Sequence, residues 1–228
     1  MNVAVAIEAN NAAVSCICQG QLDEARVLLV GSIRSMKDQL NVDAGDATAE
    51  LLKQPNQMPS AVLSLQSVSV FSLASYDAFQ KRNIESSSLS LFDRVYRIRS
   101  PCADNQSLIS AIILYNMAMV FHLEILLGKC HQLEKVEQLY LMCDVIAQQS
   151  KLTCSQASLL TLAALNNTAH LSSMYLMTRE TGHALDDLIS ELAFLNRDNT
   201  IMDDDLLIFQ MNAFLHSTGQ GFRTAPSA

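Results

Sequence analysis

Along most of the chain, apolar residues recur three and four positions apart, a spacing that predicts helices with one buried stripe. Leu22, Ala25, Leu28, Leu29, Ile33, Met36 and Leu40 form one such run. Leu108, Ile112, Tyr115, Met119, Leu123 and Leu126 form a second, which leads to Gly128. Beyond that glycine the period continues in Leu133, Val136, Leu139, Tyr140, Cys143 and Ile146, with Glu134, Lys135, Glu137 and Gln138 on the wet side. A third pair of helices is predicted around Gly182, its second member marked by Ala184, Leu185, Leu188, Leu192 and Leu195. Thr153 and Gln156 have capping-box spacing at the start of that pair. A final helix is expected over about 203–217, where Asp203, Asp204 and Asp205 suit the positive end of the helix dipole. The period breaks between about 41 and 104. There Ala61–Phe71 and Leu89–Ile98 alternate and are rich in β-branched residues, which predicts two short strands paired as a hairpin and packed on the helices. A short helix is expected over Asp46–Lys53.

One theme returns in the helical segments. Asn10-Asn11-Ala12-Ala13 precedes Gly20 and Ala25, Asn116-Met117-Ala118 precedes Gly128 and Val136, and Asn166-Asn167-Thr168-Ala169 precedes Gly182 and Ala184. These helix pairs resemble the tetratricopeptide repeat, with Ala13, Gly20 and Ala25 on that family's small-residue and turn positions. The resemblance covers repeat one at about 6–40, repeat two at about 111–147 and repeat three at about 162–196. It implies an all-α fold, an antiparallel helix-pair array in which each repeat buries its face on the next. The expected organisation is one domain over 1–228, with the insert at 41–104, a capping helix and a mobile tail over 219–228.

Composition narrows the setting. Only 7 glycines and 4 prolines in 228 residues argue against turn-dense all-β or disordered chains. A net charge of −8 repels nucleic acid and anionic membrane surfaces, so neither is expected as a partner. The six cysteines lack the spacing of a secreted disulfide scaffold, and no basic leader precedes the first helix, which together point to a reducing interior, the cytoplasm. The uncharged stretches Gln54–Tyr76 and Leu152–Thr178 carry polar residues at their middles and are not expected to span a bilayer.

Asn11, Asn116 and Asn167 occupy equivalent places on the first helix of each repeat. The resemblance puts that place on the concave groove, where a carboxamide can both donate to and accept from an extended peptide. His170 lies nearby on the third repeat. The alternative is that these amides bond neighbouring helices inside the stack. A carboxylate clamp is not expected, because Ile7 and Ala163 stand where its basic residues would be. Arg94, Arg97 and Arg99, interleaved with Phe92 and Tyr96 and close to Lys81 and Arg82, suit an acidic or nucleic-acid ligand or, more simply, a charged strand edge that blocks pairing. The cysteines and histidines have no zinc-ligand spacing, and no phosphate loop or nucleophile elbow is present. No catalytic residue, metal or cofactor is therefore expected. The sequence points to a protein–protein interaction module that holds a peptide or helix in a groove. A self-associating structural protein is the alternative, ahead of an enzyme or small-ligand binder.

Overall fold

The computed structural model describes residues 3–46, 64–70, 89–100, 106–150, 155–198 and 206–222. Its contacts divide the chain into two compact units, one of Met1–Val70 with Arg94–Cys130 and one of Phe71–Asp93 with His131–Ala228. The described residues are mostly helical, with one small sheet.

In the first unit, α1 (Val3–Cys18) and α2 (Leu22–Asp46) form a helical hairpin, and α3 (Gln106–Leu126) packs against both. The Ser32 hydroxyl donates to the Ala6 carbonyl at 2.6 Å across the hairpin. Strands β1 (Ser64–Ser69) and β2 (Arg94–Ser100) pair antiparallel, with Leu65 opposite Ile98 and Ser69 opposite Arg94, and β2 also lies on α1 and α3. The alternation of the two segments thus does produce a strand pair. Its second strand starts at Arg94, and Leu89–Asp93 belongs to the other unit.

Helix α3 is the apolar centre of this unit. The single face expected from its periodicity understates it, since Ile109, Ile113 and Val120 are buried along with Ile112, Tyr115 and Met119. It is long and apolar enough to cross a membrane, with a window of mean hydropathy 1.8, and 89% of that window is buried within the protein. A helix surrounded by packing partners carries apolar residues all round, so its sequence shows no wet side.

The second unit holds α4 (Leu133–Ser150), α5 (Ser155–Met174), α6 (Thr178–Asp198) and α7 (Leu206–Phe222). Here α5 is central, in contact with α4, α6 and α7. Its core includes Val136, Tyr140, Leu160, Ala169, Leu188 and Phe209. Helix α7 continues past the end expected at about 217, so part of the segment expected as a tail is helical. Likewise α2 runs to Asp46, beyond the expected start of the insert. Lys53 and most of the helix expected before it, Thr153 of the capping box and the acidic run 203–205 lie outside the described residues, as do residues 61–63 and 71 at the ends of the first alternating segment.

Three helices end in the same way. Gln21 N–H reaches back to the Cys16 carbonyl at 2.9 Å, Lys129 N–H to Glu124 at 2.8 Å, and Met177 N–H to Ser172 at 3.0 Å. Each is paired with a bond from the preceding residue that spans three residues instead of five, the Schellman arrangement, which needs a left-handed residue just past the helix. Gly20 and Gly128 supply it with φ of 75° and 69°, as expected for turn glycines. In the third case the turn expected at Gly182 is displaced, because Gly182 lies inside α6 and the left-handed residue is Leu176, φ 57°. A leucine there crowds its Cβ against the backbone, at a cost of roughly 1–2 kcal/mol. The side chain is 81% exposed and recovers little by burial. Leu176→Gly is therefore expected to stabilise the protein by about 1 kcal/mol net of the added unfolded-state entropy. Thermal unfolding should show it as a rise of a few degrees.

Candidate peptide clamps

Where residues 89–98 run against helices, their backbone has no neighbouring strand on that side, so side chains must take its polar groups. Asparagines do so. In the first unit Asn116 of α3 accepts from the Tyr96 N–H at 3.0 Å and donates to the Tyr96 carbonyl at 2.9 Å. Asn11 of α1 treats Ile98 in the same manner, accepting at 2.9 Å and donating at 2.8 Å. Asn10 donates to the Tyr96 carbonyl at 3.1 Å and accepts from the Asn116 amide at 2.8 Å, which joins the two helices beneath the strand.

The second unit repeats the device. Asn212 of α7 accepts from the Ser90 N–H at 2.9 Å and donates to the Ser90 carbonyl at 2.8 Å. Asn167 of α5 accepts from the Phe92 N–H at 2.9 Å and donates to its carbonyl at 3.1 Å. Asn166 donates to the Ser90 carbonyl at 3.1 Å and accepts from Asn212 at 2.7 Å. Both clamps therefore consist of an asparagine doublet on one helix and a single asparagine on another. Each grips residues two apart, running from the single asparagine to the doublet. Alternate residues of an extended chain point their N–H and C=O groups to the same side. In β2 the even-numbered groups meet asparagines, which leaves the odd-numbered ones to face β1.

Burial supplies the attraction and the amides set the register. Leu89, Leu91, Phe92, Val95, Tyr96 and Ile98 are all buried. Full burial of a large apolar side chain contributes about 1.5–3 kcal/mol, against about 0.5–1.5 kcal/mol net for a neutral hydrogen bond. The Phe92 ring packs on Phe209 with centroids 4.6 Å apart, and Tyr96 on Tyr115 at 5.4 Å. A slip by one residue would turn these rings to the wrong face and present the wrong amides to the clamps. Tyr140, fully buried on α4, shares a hydrogen bond with Asn167, and burial holds its phenol well above the ordinary range and therefore protonated.

The structure thus brings the expected Asn11, Asn116 and Asn167 onto an extended segment, and the occupant is the chain's own insert. Asn10, Asn166 and Asn212 complete the clamps and were not singled out as ligands by sequence. The doublets were the available signal for the first two. Asn212 sits in the helix expected to be only a cap. His170, one turn beyond Asn167, is buried, and burial lowers its pKa to about 4.

The arginines do not form one patch. On β2, Arg94 shares a face with Tyr96 and Ile98, while Arg97 and Arg99 point to the other. Arg97 donates to the Ser15 hydroxyl at 2.8 Å and Arg99 to the Gln66 carboxamide at 3.1 Å. The charged-edge expectation is also corrected, because β2 has β1 on one side and carboxamides on the other. Lys81 and Arg82 lie outside the described residues. Among the described residues no three His, Cys, Asp or Glu side chains are placed to hold a metal. A cavity of about 520 Å³ among α4, α5 and α6 carries Glu134, Glu137, Asp144, Glu180 and Asp187 around Tyr140 and Leu165. Burial, together with Glu180 and Glu134, raises the Glu137 pKa.

No protein-family model, curated protein or solved structure matches the chain.

Two stability predictions follow from these contacts. Asn116→Ala leaves the buried Tyr96 N–H and the Asn10 acceptor unsatisfied, at roughly 1–3 kcal/mol each. Urea unfolding should register a loss of about 2–5 kcal/mol, larger than for Asn11→Ala at its half-buried position. For His170 the sign runs toward acid lability. Between its folded pKa of about 4 and the unfolded value of 6.5, the unfolded chain binds a proton that the folded chain refuses. Stability then falls as pH drops through that window, by about 3 kcal/mol in all. His170→Leu is expected to flatten the slope of the urea midpoint between pH 6.5 and 4.

Proposed function

We propose that the protein is an interaction scaffold, a tetratricopeptide-like helical array whose asparagine clamps hold an extended peptide by its backbone, with residues 89–98 as the resident occupant. The observation that carries this reading is the bidentate grip of Asn11, Asn116, Asn167 and Asn212 on alternate residues. A carboxamide aimed at a peptide N–H and C=O reads backbone and ignores side-chain identity, which is how a groove accepts a strand. Selectivity falls to Phe209 and Tyr115, which meet aromatic residues of the occupant. The groove reading of Asn11, Asn116 and Asn167 from the repeat pattern supports the same assignment. The partner is a protein or peptide that offers an extended, apolar stretch.

A fluorescent peptide with the sequence of residues 89–98 tests the proposal. It is expected to bind full-length Phe92→Ala/Tyr96→Ala protein, whose own segment is weakened, at least about tenfold more tightly than wild type, a difference of about 1.4 kcal/mol. Adding Asn11→Ala and Asn167→Ala should remove that binding. Equal binding to wild type and the segment-weakened chain would refute the reading.

A further inference from the structure

We infer that the clamps also take residues 89–98 of a second copy of this chain, so that two chains exchange the segment. The inference rests on the backbone-reading role proposed above and names the partner. A foreign peptide must bring an aromatic ring to Phe209, another to Tyr115, and apolar residues at the buried places of Leu89, Leu91, Val95 and Ile98. The second copy brings all of these, because its segment is the one already seated. Exchange remakes every asparagine bond to Ser90, Phe92, Tyr96 and Ile98, so the closed and exchanged forms differ in connectivity and not in contacts. Their balance is then set by the effective concentration of the tethered segment against the concentration of free chains. Exchange grows with protein concentration.

Two further features bear on it. Helix α7, which carries Asn212 and Phe209, exposes Leu207, Met211, Phe214 and Leu215 along one side, an apolar stripe that gains from cover when copies meet. The net charge of −8 opposes any approach of two copies, so salt should favour the dimer by screening that repulsion, while the uncharged clamps are indifferent to it.

The test uses two full-length variants. One is clamp-deficient, Asn116→Ala with Asn212→Ala, and the other segment-deficient, Phe92→Ala with Tyr96→Ala. They are refolded together from urea at high protein concentration and counted by native mass spectrometry. Only the mixed pair can seat an intact segment in intact clamps, so heterodimers should exceed either homodimer by about tenfold and increase with salt. Species in random proportion, or monomers alone, overturn the inference. Should either variant fail to fold by itself, isotope-labelled and unlabelled wild-type chains refolded together decide the matter. Mixed-mass dimers at high concentration support exchange, and monomers at every concentration overturn it. Binding of the synthetic peptide without mixed dimers sinks the exchange and leaves the groove reading intact, whereas failure of both removes both.

Discussion

A strand laid against helices has one edge that no backbone ladder can satisfy, because a helix spends its own N–H and C=O groups internally. Everything notable about this protein follows from how that edge is met. Unpaired amides next to buried Phe92 and Tyr96 would cost more than each ring's packing returns. Asparagine is suited to the task, since its carboxamide repeats the peptide group's donor and acceptor on a stem short enough to be rigid. With a donor and an acceptor on each of Asn11, Asn116, Asn167 and Asn212, the helices present a substitute strand edge made of side chains.

The same device occurs in both units, and the arrangement is alike in detail. A doublet on α1 or α5 and a single asparagine on α3 or α7 bond to each other as well as to the backbone of residues 90–98. That cross-bond fixes the orientation of each carboxamide, because an amide that donates to its neighbour cannot flip without losing the bond. The ring contacts also correspond, Tyr96 on Tyr115 and Phe92 on Phe209. In each unit, then, side-chain amides meet the backbone of alternate residues and an aromatic contact stands beside them.

Charge plays a smaller part than the sequence suggests. The arginines of β2 split between two faces and spend hydrogen bonds on Ser15 and Gln66. The carboxylates crowd instead around the cavity among α4, α5 and α6, which is also lined by Tyr140, the hydrogen-bond partner of Asn167, and Glu180 and Glu134 add to burial in raising the Glu137 pKa. The clamps hold no ionisable side chain, so their grip is insensitive to salt.

How much of this was legible in the sequence depends on the range of the interaction. Helical periodicity placed α2, α3, α4 and α6, the repeated asparagine and alanine pattern placed α1 and α5, alternation placed the strand pair, and glycine marked the turns at Gly20 and Gly128, all because these signals act between near neighbours. The recurring asparagines were legible as one ladder for an extended peptide, since Asn11, Asn116 and Asn167 each stand in the same local context. Who occupies the ladder was not legible, because Asn11 and Ile98 are 87 positions apart and Asn212 and Ser90 are 122 apart. Nor was the third turn, where Leu176 takes the left-handed conformation that its side chain disfavours and Gly182 lies inside α6. The sequence by itself determined most of the helices, the strand pair and three of the carboxamides, Asn11, Asn116 and Asn167, that meet the segment. Only the tertiary structure decided that residues 89–98 lie against these asparagines, because that placement rests on ring contacts and amide register between residues remote along the chain.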